Sequence, residues 1–214
     1  MKKFLVIGLG RFGQSVAHSL ANQKCEVMIL DKEEARLQDV RDEVTYALIG
    51  DATDRNVLEK IGVKNFDTII VCIGDSLEAS VMVTVLSKEL GASRVIVKAQ
   101  NEMHAKVLNL VGADKVVLPE RDMGARLAKS LTTETFMDYI ELSDSHSIIE
   151  MEVPKSWTGK TILELDVRKK FGINILAIKK GDGLVNAAPG GGATIEPDDI
   201  IVVLGEKKSL EKLC

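Results

Sequence analysis

Residues 4 to 13 read Phe-Leu-Val-Ile-Gly-Leu-Gly-Arg-Phe-Gly, an apolar run that leads directly into a G-x-G-x-x-G turn. A helical pattern begins near Arg11, so the turn joins a strand to a helix. Gly8 turns the chain where a Cβ would clash, Gly10 lets backbone approach a phosphate, and Gly13 lets the helix pack against the strand. The positive end of that helix favours an anion. This stretch therefore predicts a nucleotide-binding site.

A second apolar run, residues 25–30, ends in Asp31, about twenty residues beyond the glycines as a dinucleotide fingerprint requires. A carboxylate there accepts hydrogen bonds from ribose hydroxyls. It would repel a 2′-phosphate, which disfavours NADP and leaves NAD, ADP and ATP open. In the alternative interpretation Gly8 and Gly10 form only a tight turn, and Asp31 caps the next helix. The combined spacing favours the nucleotide site.

The composition fits a globular chain, since 45% of the 214 residues are hydrophobic. The net charge is −4 and no basic run occurs, which argues against nucleic acid or an anionic membrane surface as a partner. The apolar stretch behind the first Met-Lys-Lys is cut short by Arg11, so we expect no membrane-spanning segment. Cys25, Cys72 and Cys214 are far apart with no C-x-x-C, which predicts reduced cytosolic thiols.

The first part of the chain alternates strand and helix patterns. Apolar strand patterns, each followed by a helical pattern, occur at residues 4–7, 27–30, 45–49, 68–73, 94–98 and 115–118. Their Val and Ile content fits strands that are buried on both faces by crossover helices. We therefore predict an α/β fold, a Rossmann-like doubly wound parallel sheet over residues 1–118.

Pro119 then interrupts, and a helical pattern runs from Glu120 to about residue 133. Its apolar stripe, which could cover this subunit or a neighbour, consists of Met123, Leu127, Ala128 and Leu131. We predict a crossover helix or linker over residues 119–136.

The last part of the chain has a different texture. One helical pattern at residues 162–171 lies among short strand patterns at residues 139–142, 148–153, 173–179, 184–187 and 200–204. We predict a small α+β domain over residues 137–214.

Polar residues follow the third and fourth strands, at the edge where open α/β sheets bind ligands. After the third strand, Asp51 could border an adenine, or Asp51 or Asp54 could cap the next helix. After the fourth strand, Gly74-Asp75-Ser76 could line the cleft or cap the helix, and capping is the favoured interpretation.

Charged residues lie near the expected mouth of the cleft. Arg11 could reach a phosphate of its own ligand or of a ligand in an adjacent subunit, or it could be a solvated first-turn arginine. Lys98, Glu120 and Arg121 lie at or beyond the fifth and sixth strand ends, and a metal at Glu120 would need a second carboxylate supplied by symmetry. The predicted nucleotide-binding residues are Gly8, Gly10, Arg11, Phe12, Gly13, Asp31, Lys32, Asp51, Ala52, Thr53, Gly74, Asp75 and Lys98.

No catalytic residues are predicted. His18, His104 and His146 lie in different elements without zinc-like spacing, and neither a catalytic signature nor a P-loop appears. This pattern favours a ligand sensor without chemistry. The alternative is a small NAD-dependent oxidoreductase or an NAD(H)-sensing redox regulator, since the same glycine fingerprint fits both.

Four motifs together carry a family resemblance: V-I-G-L-G-R-F-G at 6–13, L-D at 30–31, G-D-A-T at 50–53 and P-E-R-D-M-G at 119–124. The chain resembles RCK domains, and more narrowly the KtrA/TrkA-type cytosolic regulatory subunits of bacterial potassium transporters. The resemblance covers essentially the whole chain, with the Rossmann-like part as RCK-N and the α+β part as RCK-C. It implies a cytoplasmic homodimer that assembles into an octameric ring at the cytosolic face of a membrane potassium-transporting subunit.

The resemblance also implies ligands. ATP and ADP would compete for the glycine-loop site, with Arg11 reaching the terminal phosphate in the adjoining subunit. Glu120 would share Mg2+ or Ca2+ between two subunits. The RCK-C residues that resemble a cyclic di-AMP pocket at the dimer interface are Ile162, Arg168, Asn174, Ile175 and Pro189. Judged by chemistry alone, only Arg168 and Asn174 suit phosphate and base contacts, and the two isoleucines look like ordinary core.

Overall fold

The computed structural model describes residues 1–132, 136–143 and 145–213. The chain divides into two compact units, Met1–Glu120 and Arg121–Cys214. Across the described residues, no helix has both the length and the apolar composition needed to cross a bilayer.

The first unit is built on a six-stranded parallel sheet with the order β3-β2-β1-β4-β5-β6. Its strands are β1 Lys3–Ile7, β2 Glu26–Asp31, β3 Tyr46–Ile49, β4 Thr68–Val71, β5 Val95–Lys98 and β6 Lys115–Val117. The helices between them are α1 Arg11–Asn22, α2 Glu34–Gln38, α3 Arg55–Ile61, α4 Leu77–Glu89 and α5 Glu102–Leu110. This is the doubly wound order, so the predicted fold class is confirmed, and the order reverses between β1 and β4.

Side chains of β1 alternate between two cores on opposite faces of the sheet. Leu5 and Ile7 join the core that packs under α3, α4 and α5, whereas Val6 joins the core that packs under α1. Phe12, Val16 and Leu20, spaced four residues apart along α1, are partly buried against the second core. Burial on both faces explains why the central strands read as continuous apolar runs.

The strand β3 is an exception to the predicted burial. All four of its residues are exposed, and Tyr46 retains 56% of its accessible surface. The expectation that every strand of this sheet is buried on both faces is therefore wrong for β3. The strand order gives the reason, because β3 lies at one edge of the sheet and has only β2 as a neighbour; β6, at the other edge, also has no fully buried residue.

Helix ends follow local chemistry. Ser76 caps α4 by accepting a hydrogen bond from the Ala79 N–H, and Gly91 follows the C-terminal end of α4 with φ +85°.

The helix α6 runs over Pro119–Thr132, and its residues Met123, Leu127 and Leu131 are exposed in this chain.

The second unit contains a five-stranded antiparallel sheet with the order β10-β9-β11-β8-β7. Its strands are β7 Phe136–Glu141, β8 His146–Glu152, β9 Ile173–Lys179, β10 Val185–Ala187 and β11 Ile200–Glu206. Its helices are α7 Ile162–Leu165, α8 Val167–Phe171 and α9 Lys207–Leu210. The core includes Trp157, whose ring lies 5.4 Å from that of Phe171. The antiparallel sheet with its short helices confirms the expected small α+β fold.

Two features of this unit differ from the sequence prediction. The helix expected over residues 162–171 is broken, because Asp166 adopts a left-handed conformation with φ +46° and separates α7 from α8. The short helix α9 was not predicted. Its single buried side chain, Leu210, gives too little periodicity to signal a helix.

Candidate nucleotide-binding cleft

The glycine loop after β1 uses its three glycines in different ways. Gly8 has φ +88°, and a Cβ there would come within 3.0 Å of the Ile73 backbone N. A Cβ at Gly13 would lie 2.0 Å from the Gly8 carbonyl oxygen, so α1 packs directly on the loop. A Cβ at Gly10 would meet nothing within 4 Å. Gly8 and Gly13 are therefore required by packing, whereas Gly10 leaves open space above the backbone.

The helix α1 starts at this loop with its first turn facing the cleft. Gly10 is the N-cap and offers no side-chain cap, and Arg11 and Phe12 line the cleft. The first amides of a helix have no partner within the helix, and they carry the positive end of its dipole. This arrangement suits a phosphate group.

Asp31 ties the end of β2 to the glycine loop. Its side chain is 4% exposed, and Oδ2 accepts a 2.6 Å hydrogen bond from the Leu9 N–H while Oδ1 accepts a 2.9 Å bond from the Glu33 N–H. Asp31 does not cap α2, whose N-cap is Glu33. Each carboxylate oxygen keeps a second lone pair that a ribose hydroxyl could use.

The loops after β3 and β4 both cap a helix and line the cleft, and Ser76 does both. Asp54 caps α3 through the Asn56 N–H, and Ser76 caps α4. Asp51 and Asp75 also line the cleft. Hydrogen bonds from the hydroxyl and the backbone N–H of Thr53 hold the pKa of the Asp51 carboxyl below its usual value. Each of these loops thus supplies one helix cap and one carboxylate at the cleft.

Lys98 and Glu120 form an ion pair in the wall of the cleft, next to the first turn of α1. Their Nζ and Oε1 atoms are 2.6 Å apart, with Lys98 mostly buried and the Glu120 side chain 71% exposed. The Lys98 Nζ also lies 5.8 Å from the centre of the Phe12 ring. The hydrogen bond from Lys98 and the nearby positive charge of Arg11 lower the pKa of Glu120. Lys98 thus lies beside the helix end that suits phosphate.

The cleft has a volume of about 1060 Å3. It brings together every predicted nucleotide-binding residue except Gly13, namely Gly8, Gly10, Arg11, Phe12, Asp31, Lys32, Asp51, Ala52, Thr53, Gly74, Asp75 and Lys98, and Glu120 also lies in its wall. Gly13 does not line the cleft, and its lack of a side chain lets α1 pack directly on the glycine loop. Cys72 lies on the floor, where burial raises the pKa of its thiol to about 12.

Sequence reasoning missed Arg36, which also lines the cleft. Its NH2 lies 2.8 Å from Glu33 Oε1 and 3.9 Å from Asp75 Oδ2, and its NH1 lies 4.0 Å from Asp31 Oδ2. The available signal was a basic residue five positions after the carboxylate that ends β2. That signal is weak, because the contact with Asp75 joins residues 39 positions apart in the chain.

The residues proposed for cyclic di-AMP all lie in the second unit. Arg168 in α8 donates a 2.7 Å hydrogen bond from Nε to Asn174 Oδ1, so these two polar groups meet within one chain. Ile162 and Ile175 are partly buried against the core of that unit. Pro189 is partly exposed in the turn after β10.

No cluster of three or more metal-ligating side chains occurs among the residues that the structure describes. Of the three histidines, His104 is fully buried, and its Nε2 lies 2.8 Å from the Ser80 Oγ. His18 and His146 are exposed. The two cysteines in the described ranges, Cys25 and Cys72, are free thiols, and Cys214 lies outside those ranges.

Comparison with known proteins identifies both units. The TrkA-N domain model matches residues 4–119 and the TrkA-C domain model matches residues 148–214. The Ktr system potassium uptake protein C of Bacillus subtilis is 42% identical over 99% of this chain and 95% of its own length. The Ktr system potassium uptake protein A of the same organism is also 42% identical, with the same coverage.

Among solved structures, the GsuK channel bound to NAD superposes with a TM-score of 0.68 at 20% identity, over 99% of this chain and 38% of that chain. At that identity the likeness shows the fold alone. The two domain matches and the extent of the Bacillus similarity go further: this chain belongs to the family of TrkA-N/TrkA-C proteins that includes the Ktr system potassium uptake proteins A and C.

Proposed function

We propose that this chain is a cytosolic nucleotide-binding regulatory subunit that gates a membrane potassium-transporting subunit and catalyses no reaction itself. The observation that carries the proposal is the cleft, which is lined both by Gly10, with open space next to its backbone, and by the buried carboxylate of Asp31. The Ktr relatives match over nearly their full length, which supports transfer of their role in potassium uptake. The absence of a spanning helix in the described residues fits a subunit that is peripheral to the membrane.

ATP and ADP are the proposed competing ligands. The phosphate end of the cleft combines the first turn of α1 with two cationic side chains, Arg11 and Lys98. Three phosphates carry more negative charge than the two of NAD, so this end favours the triphosphate. A volume of about 1060 Å3 also accommodates a dinucleotide, and the GsuK channel of the same fold is bound to NAD. NAD(H) sensing or NAD-dependent oxidoreduction therefore stays as the alternative function.

The proposed regulation is a coupling free energy between the cleft and an assembly of several copies. A ligand shifts such an assembly only through its different affinity for two shapes, typically by about 1–3 kcal/mol. Arg11 is the proposed discriminator, because it lies at the mouth of the cleft at the start of α1 and could reach a terminal phosphate of a neighbouring copy. A homodimer that builds an octameric ring would supply that neighbour.

A second regulatory ligand, cyclic di-AMP, is proposed at a dimer interface of the second unit. Its supporting observation is the Arg168–Asn174 pair, whose guanidinium keeps further donors for phosphate. Proposed Mg2+ or Ca2+ binding at Glu120 needs a second carboxylate from another copy, because Lys98 already holds this one.

The deciding experiment is thermal unfolding of the purified protein with ATP, ADP, NADH and cyclic di-AMP added separately. A ligand at a hundred times its Kd adds about 2.7 kcal/mol to the free energy of unfolding. Each kcal/mol moves the midpoint by roughly 2–4 °C for a chain of this size. Shifts with ATP and ADP, with a divalent cation enhancing the ATP shift, support the regulator. A shift with NADH alone favours the redox alternative, and hydride transfer to any substrate would overturn the non-enzymatic assignment.

A further inference from the structure

We propose that Arg36 is the residue that binds the base of the nucleotide, with its guanidinium stacked on the adenine face and Asp75 opposite. The inference rests on the proposed function, since it concerns the same cleft. It adds a residue that contributes affinity for the base, at the end of the cleft away from the first turn of α1.

Contacts of the backbone at Arg36 and of the next residue hold Arg36 in place. The next residue, Leu37, is buried in the core under α1, and the Gln14 side chain donates to the Arg36 carbonyl over 3.2 Å. The short helix α2 is thereby held against α1. The Arg36 side chain is left to project into the cleft, where 36% of it is exposed.

The guanidinium lies between the loops on either side of the glycine loop. It contacts Glu33 over 2.8 Å in the β2–α2 loop, and it lies 3.9 Å from Asp75 in the β4–α4 loop. The strands β2 and β4 flank β1 in the sheet. A nucleotide that extends from the first turn of α1 past Asp31 must therefore pass beside this guanidinium.

Charge decides which part of the ligand it contacts. Three carboxylates, those of Asp31, Glu33 and Asp75, lie within 4.0 Å of Arg36. They offset its positive charge and repel a phosphate placed among them. A neutral, planar base is not repelled, and it presents a π-face to the flat guanidinium. With Asp31 holding the ribose, the base is the part of the ligand that reaches Arg36.

This geometry predicts a distinctive set of affinities. Arg36→Ala should weaken adenosine, AMP, ADP and ATP by the same factor, about tenfold, because the lost contact is with the part they share. The ratio of ATP to GTP affinity should stay constant, since stacking tolerates any base. Arg36→Lys keeps the charge without the planar face, so it should restore less than half of the lost binding free energy.

The experiment is isothermal titration calorimetry of the full chain and its variants with those ligands, with NADH and NADPH as added probes. Arg41→Ala is the matched control, because Arg41 is an exposed arginine that follows the same helix and does not line the cleft. It should bind every ligand as the unchanged protein does. Thermal unfolding without ligand verifies that each variant is folded.

Four results would overturn the inference. Equal affinities of Arg36→Ala and the unchanged protein would remove Arg36 from the site. A loss that grows with the number of phosphates, or full rescue by Arg36→Lys, would make it a charge contact. A loss confined to NADPH would assign it to a 2′-phosphate. If the unchanged protein bound no adenosine ligand, the proposed function would fail instead, which separates the two failures.

Discussion

The backbone N–H of Leu9 and the carboxylate of Asp31 are joined by a buried 2.6 Å hydrogen bond that fixes the glycine loop to the end of β2. A carboxylate that is expected to bind ribose is thus also part of the fold. A charged acceptor makes such a bond stronger than one between neutral groups. Ligand binding and loop geometry therefore depend on the same side chain.

Replacing Asp31 by Ala should lower both the stability of the fold and the affinity for adenosine ligands. The Leu9 N–H would lose its partner, which costs about 1–3 kcal/mol and lowers the unfolding midpoint by several degrees. Affinity for adenosine ligands should fall at least tenfold, because the ribose acceptor is also lost. Urea and thermal unfolding measure the loss of stability, and calorimetric titration of the folded variant measures the loss of affinity. Unchanged ATP affinity would remove the central residue of the proposed site.

The glycines of the loop offer a matched pair of substitutions. Gly13→Ala places a methyl group 2.0 Å from the Gly8 carbonyl oxygen, so we expect severe destabilisation or no folded protein. Gly10→Ala adds its methyl group in open space at φ −68°, so stability should change by about 1 kcal/mol or less.

Nucleotide affinity distinguishes these two glycines further. The Gly10→Ala methyl group would occupy the approach of a phosphate, so the folded variant should bind ADP and ATP at least tenfold more weakly. Calorimetry on this variant measures the loss, with circular dichroism to verify the fold. If Gly10→Ala bound both nucleotides normally, the phosphate would have to lie elsewhere.

The sequence predicted the parts of the cleft that depend on short-range spacing. The G-x-G-x-x-G turn and Asp31 lie within one βαβ unit, so their geometry follows from strand, turn and helix periods. Arg36 was missed because its role depends on a meeting with Asp75, which belongs to a different loop. The edge position of β3 was missed for a related reason, since strand order is set by the whole sheet and not by the composition of one strand.

The ion pair between Lys98 and Glu120 leads to a prediction about cations. Glu120→Gln removes the negative charge that pairs with Lys98, which leaves the ammonium group freer to bind phosphate, so ATP affinity in the presence of a chelator should stay constant or rise. The enhancement of ATP binding by Mg2+ or Ca2+ should disappear, because the carboxylate that would hold the cation is gone. Titrations with and without the cation measure both effects. A cation enhancement that survives in Glu120→Gln would place the cation elsewhere.

Arg11 provides a test of regulation as distinct from binding. Arg11→Ala should leave ADP affinity within about threefold, because the amides of the first turn of α1 still bind phosphate. The difference between ATP and ADP in potassium flux of the reconstituted complex should shrink, by up to the 1–3 kcal/mol typical of such coupling. Lys is the informative control at this position, since it keeps the charge but loses the bidentate fork. Flux in the Arg11→Ala variant that still responds differently to the two nucleotides would end the proposed role.

His104 predicts how stability depends on pH. Its Nδ1 accepts a 3.3 Å hydrogen bond from the Gln100 N–H and its Nε2 lies 2.8 Å from the Ser80 Oγ, so the buried ring is neutral with the proton on Nε2. Burial lowers the pKa of His104 below its usual value of 6.5. The unfolded chain therefore takes up a proton at a higher pH than the native chain does. The contribution of His104 to the free energy of unfolding is therefore fully present above about pH 6.5. It falls as the pH decreases, by at most about 1.4 kcal/mol per pH unit.

His104→Gln isolates this effect, because glutamine is neutral over the whole range and retains one donor and one acceptor. Urea unfolding between about pH 7.5 and pH 5 should show a steeper loss of stability in the unchanged protein than in the variant. All other titrating groups are present in both proteins, so their contributions cancel when the two pH curves are subtracted. The variant should be less stable than the unchanged protein at neutral pH, where its fit to Ser80 and Gln100 is poorer, and the gap should narrow as the pH falls. Parallel curves would mean that the buried imidazole takes up its proton equally in both states, which its burial and its bond from Gln100 argue against.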